Sequence, residues 1–278
     1  MDDKEIICNV CMHQCRLKAG QIGRCKARRN ENGKSTSINY GHITSLALDP
    51  IEKKPLACFY PGSLILSVGS FGCNLNCPFC QNDSIAMARK EEVETLVVSP
   101  ETLAKEAYAA KSKGNIGIAF TYNEPLVGYE FVRDTAKLIH EYGMKNVVVT
   151  NGSLSKEAAS EILPYIDAYN IDLKGFTKEY YEKLGGNLEY VKTFIQLAAE
   201  HAHVEITTLI VPGENDTKEE VGQLSRWLAS IDTNMPLHLT RFFPRRNMRE
   251  KQPTDVNLLL ELQKEAKKYL SRVFVGNV

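Results

Sequence analysis

Leu64-Ile65-Leu66-Ser67-Val68-Gly69-Ser70, running into Phe71-Gly72-Cys73-Asn74-Leu75-Asn76-Cys77-Pro78-Phe79-Cys80-Gln81-Asn82, is the stretch on which the fold turns. An apolar, partly β-branched run enters a loop with cysteines spaced C-x3-C-x2-C. From here on the chain alternates short apolar runs with helical patterns. Predicted strands are Leu64–Ser70, Gly117–Tyr122, Asn146–Asn151, Ala168–Leu173, His203–Val211, Leu237–Phe242 and Val273–Gly276. Helical patterns span about residues 127–142, 155–164, 187–201, 216–230 and 254–271, and Ser99-Pro100 opens a further one with an N-cap serine and proline at the first turn. Gly114 and Gly143 sit where C-terminal caps belong. Strands alternating with helices predict parallel βαβ units, in a partial TIM-like barrel or a doubly wound sheet.

The cysteine loop follows a strand directly, which puts it at the carboxyl end of a barrel, where such folds hold their active sites. Three thiolates on a four-iron cluster leave one iron open to a ligand from outside the protein. An amino acid can chelate that iron through its amino and carboxylate groups. The alternatives are a zinc site with a distant fourth ligand and three reduced thiols.

Lys+Arg and Asp+Glu balance at 34 each in 278 residues, so no global field points to nucleic acid or an acidic membrane. Apolar content is an ordinary 43%, and no run approaches the roughly 20 residues that span a bilayer. Met1-Asp2-Asp3-Lys4-Glu5 is charged and lacks a signal-peptide core, so a cytoplasmic location is expected. In a reducing compartment the clustered cysteines among the eight read as metal ligands or catalytic groups rather than disulfides.

Residues 1–60 are expected to form a Cys-rich metal-binding knuckle, packed on a barrel of residues 61–278. Cys8, Cys11, Cys15 and Cys25 can close a tetrahedral zinc site or hold a second 4Fe–4S cluster. A knuckle this small needs such a staple to fold. His13 reads as an exposed bystander, Cys58 as a small buried hydrophobe, and Asn30-Glu31-Asn32-Gly33-Lys34 as a turn.

The motif resembles the signature of the radical S-adenosylmethionine (SAM) superfamily, and Cys73–Asn82 resembles the pyruvate formate-lyase activating enzyme group within it. The amino-terminal cysteine run, Asp49-Pro50-Ile51-Glu52-Lys53-Lys54-Pro55-Leu56 and Tyr60-Pro61-Gly62-Ser63 look like the AmmeMemoRadiSam-system branch. The resemblance implies a partial (β/α) barrel of about six parallel strands, a 4Fe–4S cluster on Cys73, Cys77 and Cys80, and SAM as cofactor. It implies Asn123 and Glu124 at the SAM amino group, Asp172 and Lys174 at its ribose and carboxylate, Asn151 beside it, and Val211 and Phe79 around the adenine. Arg241 could pair with a carboxylate of SAM or substrate. Val149 stands where activating enzymes often carry an aspartate beside a monovalent cation, which departs from that group. Glu52, Lys53 and Lys54 read either as a solvated charge run or as part of the active site. Arg245, Arg246, Arg249 and Lys251 read as a solvated basic loop or a docking segment.

The activity so implied is anaerobic radical chemistry. The cluster cleaves SAM to methionine and a 5′-deoxyadenosyl radical, with electrons from a flavodoxin or ferredoxin. The hydrogen is taken from a glycyl residue of a partner enzyme, or from a target particular to the branch. The alternative is a non-enzymatic iron–sulfur electron carrier or zinc scaffold, which needs no SAM pocket.

Overall fold

Eight strands form one sheet in unbroken sequence order. They are β1 (Ser45–Pro50), β2 (Leu64–Gly69), β3 (Asn115–Phe120), β4 (Lys145–Thr150), β5 (Ala168–Asp172), β6 (His203–Ile210), β7 (Leu237–Arg241) and β8 (Val273–Gly276). They are seen in a computed structural model that describes residues 4–278, so Met1–Asp3 of the charged amino-terminal stretch lie outside the described residues. From β2 to β8 every pairing is parallel, giving seven parallel strands, one for each run predicted from Leu64 onward and in keeping with the partial barrel of about six. The winding never reverses, and β1 and β8 form the two edges of the sheet without pairing to each other. The periodicity left a doubly wound sheet open. The continuous order selects the partial barrel instead.

β1 is antiparallel to β2 and was not expected as a strand. Its sequence, Ser45-Leu46-Ala47-Leu48-Asp49-Pro50, ends in a proline that cannot donate to a ladder. An edge strand tolerates that residue, and an antiparallel edge on a parallel sheet is common. The sheet therefore draws on residues both before and after residue 60.

Helices α1 (Pro100–Ala109), α2 (Tyr129–Glu141), α3 (Lys156–Ile162), α4 (Leu188–Ala199), α5 (Lys218–Ala229) and α6 (Val256–Ala266) cover the outside. Side chains of Ser99, Ser155, Asn187, Thr217 and Asp255 cap all but α2 at their amino ends. The main core lies between these helices and the sheet, with Tyr169, Phe194 and Ile171 among its fully buried members. No helix among the described residues is long and apolar enough to cross a membrane.

The amino-terminal segment adds two small hairpins, Ile6–Ile7 with Arg16–Leu17 and Arg28–Glu31 with Lys34–Ser37. The second turns at Asn32 and Gly33, both at positive φ, as the sequence suggests. Arg28 is buried and fixes this hairpin to α2 through Glu130 at 2.7 Å and the Val127 carbonyl at 3.0 Å.

The chain between β1 and β2 crosses the lower end of the barrel. Asn170 of β5 donates to the Pro55 carbonyl at 2.9 Å. The carboxylate of Glu205, on β6, accepts from the Ala57 and Cys58 amides at 2.9 and 2.7 Å. His203 and His238, with protons on Nε2, donate to the same carboxylate at 2.9 and 2.6 Å. Burial alone would raise this carboxyl, but the four donors outweigh it and hold the pKa down at about 2. A carboxyl depressed on folding adds stability that is present above its ordinary value of 4.5 and lost as pH falls toward about 2. The expected contribution is about 3 kcal/mol. Urea titrations should show Glu205→Gln less stable than the parent at pH 7, with the gap closing between pH 4.5 and 2. A gap unchanged across that range would contradict the assignment.

Candidate active site

Parallel strands deliver all their carboxyl ends to one rim, and the loop of Cys73, Cys77 and Cys80 opens there from the end of β2. The loop is tied down on several sides. The Cys73 amide donates to the Cys25 carbonyl at 3.1 Å, and the Asn76 amide to Leu184 at 2.8 Å. Arg246 donates to the Cys77 carbonyl at 2.7 Å and to Asn76 Oδ1 at 2.8 Å, and the Asn247 amide reaches Pro78 at 2.9 Å. His13 Nε2 lies 2.7 Å from the Asn74 carbonyl, so it braces the loop rather than standing free. Arg246, read from sequence as part of a solvated basic segment, is likewise a brace.

Cys73, Cys77 and Cys80 line one cavity of about 360 Å3 together with Phe79, Asn123, Glu124, Asn151, Asp172 and Lys174. Thus six of the eight residues expected around SAM meet the three cysteines. Val211 and Arg241 do not join that wall. Val211 is fully buried in an apolar cluster with Phe79 and Phe242, and Arg241 Nε turns to the Thr254 carbonyl at 2.8 Å. The strands end one residue earlier than the sequence suggests at both places, at Ile210 and Arg241. A larger hollow of about 540 Å3 lies on the outer surface near Asn9, Lys156 and Glu189, and it contains no thiol.

Glu124 is buried and ties neighbouring strand ends together. Its carboxylate accepts from Thr150 Oγ1 and the Asn151 amide at 2.7 Å each, and from the Leu126 amide at 3.0 Å. Burial raises its pKa to about 7 despite these donors. Asn123 spends its amide on the cysteine loop, accepting from the Ser70 amide at 3.0 Å and donating to the Phe71 and Gly72 carbonyls at 3.1 Å. Asn151 donates to Asn74 Oδ1 at 2.8 Å and faces the Cys73 sulfur at 3.7 Å. Lys174 and Asp172 pair at 2.7 Å. Burial alone would lower the Lys174 ammonium, but Asp172 and then Cys77 more than offset it, and the group sits above its ordinary value.

The donor set fits a 4Fe–4S cluster. Three thiolates on one cluster bond three different irons, so they must face a common cavity rather than converge on one point. Burial raises Cys73 and Cys80 and pushes Cys77 up to about 11, so these thiols keep their protons until a metal displaces them. Lys174 opposes the rise at Cys77 and Cys80. Polar groups for an amino acid cofactor stand in the same cavity: the Asp172–Lys174 pair, Asn151 and Glu124.

Cys8, Cys11 and Cys25 are buried, and the Cys8 amide donates to the Cys15 carbonyl at 2.9 Å. Cys11 bridges to Leu154, and Cys25 touches the cysteine loop through its carbonyl. Among the described residues, no three His, Cys, Asp or Glu side chains close on a single metal ion. Cys58 is half-buried, held by its amide to Glu205.

The model of the radical SAM superfamily matches residues 67–228. The uncharacterized protein MJ0808 of Methanocaldococcus jannaschii is 37% identical over all of this chain and 83% of its own length. A pyruvate formate-lyase-activating enzyme of Clostridium pasteurianum is 29% identical, over 58% of this chain and 67% of its own. A crystal structure of Streptococcus suis SuiB superposes on 76% of this chain and 47% of its own with a TM-score of 0.59 at 16% identity, a likeness of fold. Family match, barrel and three-cysteine loop agree, and the chain belongs to the radical SAM superfamily.

Proposed function

We propose that this chain is a radical SAM enzyme in which Cys73, Cys77 and Cys80 hold the 4Fe–4S cluster that the family implies. Asp172, Lys174, Asn151 and Glu124 then hold SAM, with Phe79 and Asn123 shaping its surroundings. Val211 and Arg241 act from outside the wall, by packing and by fixing the ends of β6 and β7. The observation that carries this reading is the single cavity containing three thiols and the Asp172–Lys174 pair. When bound, cluster and SAM together supply reductive cleavage to methionine and a 5′-deoxyadenosyl radical that abstracts hydrogen. The chain's own residues bind and orient. Lys174 offers a fixed positive charge to a carboxylate, and Asp172 and the Asn151 amide offer polar partners.

An electron donor of the flavodoxin or ferredoxin class completes the requirement. Abstraction from a glycyl residue of a partner enzyme is the version supported by the activating enzymes among the relatives. The segment ahead of β1 serves as the metal-binding appendage, with Cys8, Cys11, Cys15 and Cys25 on zinc or a second cluster. The test is anaerobic reconstitution with iron and sulfide, then dithionite and SAM. Methionine and 5′-deoxyadenosine in equal amounts are expected. Stable cluster loading with no deoxyadenosine would overturn the enzyme reading in favour of an electron carrier.

A further inference from the structure

The cavity below the cysteine loop has a charged floor that the SAM-binding residues leave unused. The crossing segment between β1 and β2 supplies it: Lys53, Lys54 and Pro55 line the same cavity as the three cysteines. Both lysines reach one acid. Asp49 Oδ1 accepts from Lys53 Nζ at 3.1 Å, and Asp49 Oδ2 accepts from Lys54 Nζ at 3.0 Å. Tyr122 Oη also donates to Oδ2, at 2.8 Å, and its ring lies 4.8 Å from the Lys54 ammonium.

This knot is a built feature. Tyr122 holds φ at 73°, a left-handed conformation that a bulky side chain rarely adopts. Its carbonyl accepts from Asn82 at 2.8 Å, which couples the strained residue to the end of the cysteine loop. Lys54 is buried, with 3% of its side chain exposed, whereas Lys53 keeps 65% exposed. Two ammonium groups therefore share one carboxylate. Elsewhere in the wall, Lys174 is paired with Asp172, and both Glu124 oxygens accept from uncharged donors. The Asp49 knot by itself thus holds one more positive than negative charge, on the side where Lys53 is open.

We infer that Lys53, backed by Lys54 and Asp49, binds an anionic group of the substrate, a carboxylate or a phosphate. This rests on the radical SAM reading of the same cavity, and it narrows the substrate class to molecules with that group near the hydrogen to be abstracted. Lys54 and Tyr122 saturate Oδ2 and hold Asp49 in place. Among the described residues Lys53 has only its bond to Oδ1, and its ammonium has two further protons to donate.

The test is calorimetric titration of the cluster-loaded protein with malonate and, separately, with inorganic phosphate, at constant ionic strength set by chloride. At least one of the two is expected to bind, and Lys53→Gln is expected to weaken that binding tenfold or more. Lys53 is mostly exposed, so this variant keeps its fold. Binding of malonate alone identifies a carboxylate, and binding of phosphate alone identifies a phosphate ester. No binding of either, or binding unchanged in Lys53→Gln, overturns the inference. SAM cleavage measured on the same preparation separates the two readings. Cleavage without anion binding removes only the floor site, and anion binding without cleavage removes only the radical reading.

Discussion

Cys77→Ala is expected to bring deoxyadenosine formation below roughly a thousandth of the parent rate, a barrier increase of about 4 kcal/mol. Cys77 is the middle cysteine of the loop. Its side chain is buried beside Leu75 and Phe79, and its carbonyl is held by Arg246. Alanine leaves the backbone clamps intact and removes only the sulfur. The two remaining thiolates would then leave two of four irons without a protein ligand, and cluster loading should fall with activity. Far-ultraviolet circular dichroism should match the parent, which separates ligand loss from unfolding. A Cys77→Ala protein that kept its iron and still cleaved SAM would remove the cluster assignment.

Gly72→Ala should damage the same site without touching a ligand. Gly72 sits at φ 91°, and a Cβ there would lie 2.7 Å from both the Ala27 Cβ and the Cys25 carbonyl oxygen. Left-handed strain costs about 1–2 kcal/mol, and a backbone clash in a packed site adds a similar amount. The combined cost of about 3 kcal/mol corresponds to a fall in Tm of roughly 6–12 °C for a domain of this size. The clash lies where the Cys73 amide meets the Cys25 carbonyl, so the two cysteine groups should separate there. Iron retention after gel filtration should drop with the melting temperature. Unchanged values of both would show that this junction does not fix the loop.

Much of the scaffold was legible in the sequence because it is local. Apolar runs such as Asn146–Asn151 and His203–Val211 mark buried parallel strands, and Ser99-Pro100 marks a helix start by capping chemistry alone. β1 escaped because half its residues are polar or proline and its only sheet partner is β2. The cysteine spacing and the strand-end residues Glu124, Asn151, Asp172 and Lys174 were legible for a related reason. In a parallel barrel, residues at strand ends meet whatever their separation in sequence.

What could not be read was contact made by distant, aperiodic segments. Arg246 lies 169 residues from the cysteine it supports, and no pattern in a basic loop announces that bond. Lys53 and Lys54 read equally well as a solvated charge run. Only the path of the crossing segment brings them under the cluster loop. Val211 and Arg241 show the same limit. Neither the loop that follows β6 nor the end of β7 reveals in sequence that the Val211 side chain packs into an apolar cluster and that Arg241 Nε turns to the Thr254 carbonyl.

Electron paramagnetic resonance of the dithionite-reduced, reconstituted protein, recorded before and after SAM is added, tests the central claim most directly. A cluster held by Cys73, Cys77 and Cys80 has one iron free to take the amino and carboxylate groups of SAM. The reduced-cluster signal should therefore shift when SAM is added, and in Cys77→Ala that signal should be lost. A strong reduced-cluster signal that SAM leaves unchanged would contradict it.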